Sequence, residues 1–298
     1  MVINRLLSLL EEKLSILPDK SEENPFNTLS ALWLLACGHH VSPILAEKKE
    51  LPDILPQQII LLEEFINQRL SGIPLAHLTE RQNFLGLDYI LKKGLYIPRK
   101  ETELLANTAI DLIKTEHSGQ QEVNVIDLCT GIGTVALAIA HYCLNSRVFG
   151  SDIYSPAIEA ANINVKHFGL ENRAKFFNAD LFDPFEKQHL KNKTTIIVSA
   201  PPYISSAKVV NMAEEISIHE PKEAFDAGPF GLSVFSKLIT TSPEFLTDHG
   251  YLIFECGLGQ GEFLTKRIRA NHHYGEITEV LDENGNIRVL KARISKPN

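Results

Sequence analysis

The stretch VIDLCTGIGTVALAIA, residues 125–140, runs a β-branched segment to Asp127 and then opens a helix through a glycine-bearing loop. Gly131 and Gly133 admit positive φ and place no Cβ in a ligand's way, while a helix start offers unsatisfied N–H groups. No GK[ST] follows to cradle a triphosphate, and a plain strand-to-helix turn uses the same residues. Asp152 ends the next apolar segment, about 20 residues beyond the glycines, where a carboxylate can accept from both hydroxyls of a ribose. With Ser151 before it and Pro156 after it, the same aspartate also suits a helix N-cap. Asp180, in FFNADLFDPF, ends a third segment and is placed to accept from an adenine amino group; Asp183 before Pro184 reads as a turn.

A different chemistry is suggested by TTIIVSAPPYISS, residues 194–206. Pro201 and Pro202 have fixed φ and no N–H, so their carbonyls point in set directions without competing donors beside them. Tyr203 adds a π face able to pack a planar group or attract a cation. The same tetrad would also serve as a structural diproline turn ending in a core tyrosine.

The elements that must hold these residues are an alternation of apolar strand and amphipathic helix from Val123 onward. VNVIDL, SRVFGSDI, AKFFNADL, TTIIVSA and GYLIFECG read as strands, with TVALAIAHYCL and SPAIEAANINVKHFG among the helices between them. That alternation predicts a parallel sheet covered by helices, and ligands of such sheets bind at the carboxyl ends of the strands. EITEVLDENGNIRVLKARI places two extended runs around Asn284-Gly285, which predicts an antiparallel hairpin. The segments before about Phe84 read as a small helical bundle: residues near 2–17, a helix starting near Pro25, and one closed by Gly72. The expected division is 1–83 for the helical domain and 84–298 for the sheet domain.

With 298 residues, 44% hydrophobic and 22% charged, the chain has the makings of a sizeable core. A net charge of -8 disfavours nonspecific attraction to phosphate backbones, so direct nucleic-acid binding is not expected. Cys37, Cys129, Cys143 and Cys256 are scattered without CxxC spacing and read as free thiols of a reducing compartment. The charged, leucine-rich start reads as an amphipathic helix and not as a signal peptide, and no apolar run approaches the roughly 20 residues of a membrane span. A cytoplasmic location without membrane contact is expected. The pairs His39-His40 and His272-His273 lack a third ligand at useful spacing, so no metal is expected. KQHLKNK, residues 187–193, reads as a solvated loop.

A nicotinamide dinucleotide would also suit the glycines and Asp152, but the order ending in SAPPY and a terminal hairpin favours an adenosyl-sulfonium cofactor. Taken together, the segments RLSGIPLAHLTERQNFLGLDYILKKGLYIPRKETELL, VIDLCTGIGTVALAIA, SDIYSPAIEAANINV, ADLFDPF, IIVSAPPYIS, IHEPKEAFDAGPFGL and FECGLGQG resemble the HemK/PrmC class of S-adenosylmethionine-dependent methyltransferases. That family methylates the glutamine of the GGQ motif in peptide chain release factors. The resemblance implies an α/β class I methyltransferase fold, a Rossmann-like and mainly parallel sheet with a C-terminal antiparallel hairpin, plus a small N-terminal helical domain that docks a protein partner. It implies S-adenosyl-L-methionine held by Cys129, Thr130, Gly131, Ile132, Gly133, Asp152, Ile153, Asp180, Leu181 and Ala200. IPRKETE would close over the site, and IHEP would support it; by itself IHEP reads as a turn before a helix.

The family's substrate signature, Asn-Pro-Pro-Tyr, falls on Ala200, Pro201, Pro202 and Tyr203, the expected catalytic set. The asparagine is absent. A carboxamide nitrogen is a poor nucleophile because its lone pair is delocalised, so its N–H groups must be fixed on acceptors. Losing one such hydrogen bond removes on the order of 2 to 4 kcal/mol from the transition state, roughly thirtyfold to a thousandfold in rate. Cys129 also replaces the first glycine of the family's loop, which a negative φ would tolerate, and Lys100 interrupts a Pro-Arg-Pro turn. The acceptor that the resemblance implies is a release-factor glutamine. The alternatives are a small-molecule amine, intramolecular cyclisation of the cofactor with release of methylthioadenosine, or a protein that binds the cofactor without turnover. A DNA adenine methyltransferase, which shares a similar tetrapeptide, would call for a basic cleft that this composition does not advertise.

Overall fold

The computed structural model describes residues 2–228 and 231–295. Two compact units divide the chain: Met1–Lys100 with Met212–Pro221, and Glu101–Asn211 with Lys222–Asn298. The break therefore falls at Lys100/Glu101 instead of 83/84, and a ten-residue segment from the middle of the second unit lies with the first.

In the first unit, helices α1 (Val2–Lys13), α2 (Pro25–Ala36), α3 (Pro43–Ala46), α4 (Pro56–Leu70) and α5 (Leu75–Thr79) precede a hairpin of β1 (Arg81–Phe84) and β2 (Leu87–Ile90). The first helix stops at Lys13, short of the expected residue 17. Helix α2 begins as its sequence suggests, with Pro25 in its first turn and the Asn24 side chain accepting from the Asn27 N–H at 2.9 Å. Leu6, Leu10, Leu29, Leu32, Leu62, Ile66 and Leu75 form its core. Charge is buried here as well. Arg69 donates to Glu23 at 3.0 Å and to Glu215 at 3.1 Å, and Lys20 reaches Glu215 at 3.0 Å.

The second unit is an α/β fold. Helix α6 (Glu103–Glu116) leads into β3 (Val123–Leu128), α7 (Thr134–Tyr142), β4 (Ser146–Asp152), α8 (Ser155–His167), β5 (Ala174–Asn178) and β6 (Thr194–Ser199). Short helices α9 (Ser206–Val209) and α10 (Glu214–His219, in the first unit) precede α11 (Ser233–Phe245), β7 (Leu246–Glu255), α12 (Gly261–Arg269), β8 (Tyr274–Leu281) and β9 (Ile287–Ile294). The sheet order is β5-β4-β3-β6-β7-β9-β8. Strands β3 to β7 run parallel, and β9 pairs antiparallel with both β7 and β8.

The central strands earn their places by composition. TTIIVS is buried throughout, as a strand covered on both faces must be, and the alanines of α7 let it lie close on the sheet. From β3 the chain builds outward through β4 to β5, then returns to the other side of β3 as β6. The carboxyl ends of β3 and β6 thus flank the switch point, where open α/β sheets bind ligands. No helix among the described residues is long and apolar enough to cross a membrane.

Candidate active site

After Leu128 the chain turns through Cys129–Gly133 into α7. Gly131 and Gly133 have φ of 56° and 85°, the left-handed region for which glycine was expected. Cys129 shares it, at φ 58°. The negative φ that would have made cysteine an easy replacement is not what this loop adopts, and the residue carries strain of about 1 to 2 kcal/mol. Two carboxylates hold the loop in that shape. Asp127 Oδ2 accepts from Thr130 Oγ1 at 2.7 Å and from the Ala136 N–H at 3.2 Å, tying strand, loop and helix together. Burial pushes the Asp127 carboxyl up to about 7, against the pull of those two donors.

Asp152 closes the other side. Its Oδ2 accepts from the Gly131 N–H at 2.9 Å, and its Oδ1 from the Tyr154 N–H at 2.9 Å. Since α8 starts at Ser155 with Tyr154 at its cap position, Asp152 is not that helix's N-cap; it joins the end of β4 to the loop after β3. Ile153 follows it with 60% of its surface exposed. Ser151 donates to the Leu181 carbonyl at 2.6 Å, bringing Leu181 beside the same strand end. Asp180 sits two residues past the end of β5, exposed, with Oδ2 on Lys237 Nζ at 2.8 Å.

The carboxyl end of β6 lies beside that of β3. Leu128 pairs with Ser199 in register, and Ser199 Oγ donates to the Leu128 carbonyl at 2.8 Å. Ala200 is half-buried, Pro201 buried, and Pro202 and Tyr203 half-buried. The Tyr203 hydroxyl donates to Glu255 Oε1 at 3.1 Å, a residue at the end of the next strand, β7. Ile204 then exchanges backbone hydrogen bonds with Phe225 and Ala227, so the AFDAG segment backs the diproline turn. Glu255 carried no assigned role in the sequence, although FECGLGQG marked its segment.

Two other motifs lie in the first unit. Of IPRKETE, residues through Lys100 belong there; the Ile97 N–H donates to Glu220 Oε2 at 2.9 Å, and Arg99 pairs with Glu220 Oε1. IHEP closes helix α10 and leads into a short 3-10 turn of helix at Lys222–Ala224. Glu220 is the buried member of that motif.

The donor set at the switch point suits a cation bearing hydroxyls and a flat ring. Cys129, whose thiol burial raises well above its usual range, is pushed further by the negative charges of Asp152, Asp127 and Asp180. Asp152, whose Oδ2 lies on the Gly131 N–H, gives the loop the sign a sulfonium requires, while burial keeps Asp127 protonated up to about pH 7. A Cβ at Gly131 would meet nothing within 4 Å, so the loop's outer side is open. Exposed Ile153 beside Asp152 offers the apolar surface that an aromatic base would cover.

The chain is similar to known proteins in sequence and in fold. The family description "Methyltransferase small domain" matches residues 102–229. A Release factor glutamine methyltransferase of Bacillus cereus is 30% identical over 242 residues, covering 81% of this chain and 84% of the relative. One of Agrobacterium fabrum is 32% identical over 228 residues, 76% and 77% of the two chains, and one of Rhodopirellula baltica is 29% identical over 285 residues, 96% and 95%. Among solved structures, the hMettl16 catalytic domain in complex with MAT2A 3'UTR hairpin 6 superposes with a TM-score of 0.51 at 15% identity, covering 68% of this chain and 76% of that one. SMU.776 complexed with SAH gives 0.51 at 16% identity over 80% and 65%. At those identities the structural likeness concerns the fold.

Proposed function

The chain belongs to the release factor glutamine methyltransferase family, and we propose that it moves a methyl group from S-adenosylmethionine to a nitrogen held at Ala200, Pro201, Pro202 and Tyr203. The observation that carries this reading is the adjacency of the Cys129–Gly133 loop and the Ala200–Tyr203 turn across the Leu128–Ser199 pair. A cofactor in the first and an acceptor on the second would meet at one sheet edge.

Thr130, Gly131, Ile132 and Gly133 would border the cofactor's methionine part with Cys129, and the Asp152 oxygens would accept from its ribose. Ile153 and Leu181 would cover the adenine faces, with Asp180 at the amino group and Ala200 at the near wall. Bound there, the cofactor supplies an electrophilic methyl on a positively charged sulfur. The chain's own part is to orient: the Pro201 carbonyl accepts from the acceptor's N–H, and the Tyr203 ring packs its planar face. Proximity and alignment of this kind supply several kcal/mol, up to about 7–11 in the best intramolecular cases.

Ala200 favours a second reading of the acceptor. A carboxamide needs two acceptors for its N–H groups, and Ala200 has only its backbone to offer; an amine already has its lone pair free. The acceptor in the first reading is a release-factor glutamine, in the second a small-molecule amine or the cofactor's own amino group.

The test is incubation with methyl-labelled cofactor and a cognate release factor, followed by mass spectrometry. Label on the glutamine of the GGQ motif supports the first reading, and its absence overturns it. S-adenosylhomocysteine formed with an added amine supports the second, while methylthioadenosine without an acceptor marks cyclisation.

A further inference from the structure

The diproline turn cannot anchor itself. Pro201 and Pro202 have no N–H, so nothing in their own backbone can be donated to the surrounding structure. The next residue, Tyr203, is held instead at its carbonyl, its hydroxyl and its ring. Gln260 Nε2 donates to the Tyr203 carbonyl at 3.0 Å, while Gln260 Oε1 accepts from the Gly257 N–H at 2.9 Å. One carboxamide thus bridges two loops with both its ends engaged. At the other end of the side chain, the phenol donates to Glu255 Oε1 at 3.1 Å.

Sterics close the remaining freedom. A Cβ built at Gly257 would lie 3.0 Å from Tyr203 Cδ2 and 2.9 Å from Gln260 Oε1, and one at Gly231 would lie 2.7 Å from the Tyr203 carbonyl oxygen. Gly231, at φ 66° and against a backbone oxygen, admits no side chain, while a side chain at Gly257 would press on the Tyr203 ring and the Gln260 carboxamide together. Glu255 is 2% exposed, and its charge is balanced locally: Arg288 Nη2 stands 3.4 Å from the oxygen that receives the phenol, and Arg288 Nε donates to the Cys256 carbonyl at 3.2 Å. A tyrosine serving only as core filler would need a partner for its hydroxyl. It would not need a second side chain fixing its carbonyl and the glycine beneath its ring.

We infer that Glu255 and Gln260 are positioning residues for the acceptor: they fix Tyr203 at both ends, and through it the direction of the diproline carbonyls. The inference rests on the acceptor site proposed above and adds the segment that holds it rigid. Neither residue touches the acceptor. Their contribution is to remove the freedom of a turn that lacks donors of its own.

The experiment uses the full chain with 3-fluorotyrosine at its seven tyrosines and reads fluorine NMR together with steady-state kinetics. Tyr203→Phe assigns the Tyr203 resonance. Gln260→Ala is expected to shift or broaden that resonance and leave the other six in place. It should lower kcat about tenfold to a hundredfold, as a misplacement on the order of 1 Å does, while cofactor affinity stays within about twofold. Glu255→Gln keeps an acceptor for the phenol and should restore most of the kcat lost in Glu255→Ala. Gln260 is only half-buried, so its variant remains informative should Glu255→Ala unfold. An unmoved Tyr203 resonance in Gln260→Ala, or a kcat within twofold of the parent, overturns the inference. If the parent itself turns over no acceptor, the proposed function fails and the resonance alone decides whether the clamp exists.

Discussion

Leu128 and Ser199 are register partners joined by a side-chain hydrogen bond of 2.8 Å, so the residues that follow them, Cys129 and Ala200, leave the sheet from neighbouring points. The loop after β3 and the turn after β6, the proposed places of cofactor and acceptor, therefore share one support. A change at either strand end is felt by both.

Ala200 offers the most direct test of the acceptor. Ala200→Asn adds a side-chain acceptor at the turn, and on a scaffold otherwise built for carboxamides it is expected to raise methylation of the release-factor glutamine about thirtyfold or more. Radiolabel transfer at matched cofactor saturation measures it. An unchanged rate would mean that the surrounding pocket has diverged with the residue.

Asp152→Ala removes the acceptor of two backbone N–H groups, those of Gly131 and Tyr154, and the proposed ribose ligand with them. Loss of one hydrogen bond to a charged group, about 1.5–3 kcal/mol, weakens S-adenosylmethionine binding roughly tenfold to a hundredfold. Titration calorimetry reads the affinity, and circular dichroism separates this loss from unfolding.

The left-handed backbone of Cys129 predicts an ordering of variants by shape. Cys129→Gly relieves the strain but loosens the unfolded chain and gives up the packed side chain, so its stability should stay within about 1 kcal/mol of the parent. Cys129→Val puts a β-branched residue where φ is positive and should cost more than about 2 kcal/mol. Urea denaturation of the three proteins distinguishes the two outcomes.

Asp127 sets a pH dependence whose direction follows from its environment. Its carboxyl titrates near 7 in the folded protein, against an ordinary value of 3.8, because burial disfavours the charge. The folded state therefore holds a proton that the unfolded state has released. Asp127 contributes stability that is complete below about pH 4 and is lost progressively as the pH rises to about 7. Melting temperatures of the parent should fall across that window relative to Asp127→Asn, which cannot titrate. Parallel curves would refute the assignment.

In the first unit, Arg99 and Glu220 form a buried pair whose carboxylate also accepts the Ile97 N–H. Removing one partner leaves a buried charge alone, so Glu220→Ala should destabilise by about 3–5 kcal/mol. Replacing both partners with apolar residues of similar volume should cost less. Chemical denaturation of the single and double variants gives the comparison.

Much of the site could be read along the chain because it is built from local signals. VNVIDL and TTIIVS are strands for their β-branched content, the glycines open the loop, and Asp152 ends its strand where the alternation places it. The hairpin around Asn284-Gly285 was legible for the same reason. What escaped depended on contacts between distant residues. Cys129 occupies a glycine-like conformation because Asp127, Asp152 and Thr130 hold its neighbours, which no local propensity reveals. Gln260 acquires its role only when β7 and the turn after β6 meet, 57 residues apart. Asp180 lies past its strand's end because β5 stops at Asn178.

Residues 212–221 carry a practical consequence for anyone dissecting the chain. The excursion brings Glu215 to Lys20 and Arg69, and Glu220 to Arg99. A fragment cut at residue 100 would retain three buried cations and discard two of their counter-charges. The remaining fragment would carry those carboxylates into solvent on a stray helix. Neither half is a contiguous gene segment, and a later start codon alone does not isolate the methyltransferase unit, because residues 212–221 would remain in it without their partners.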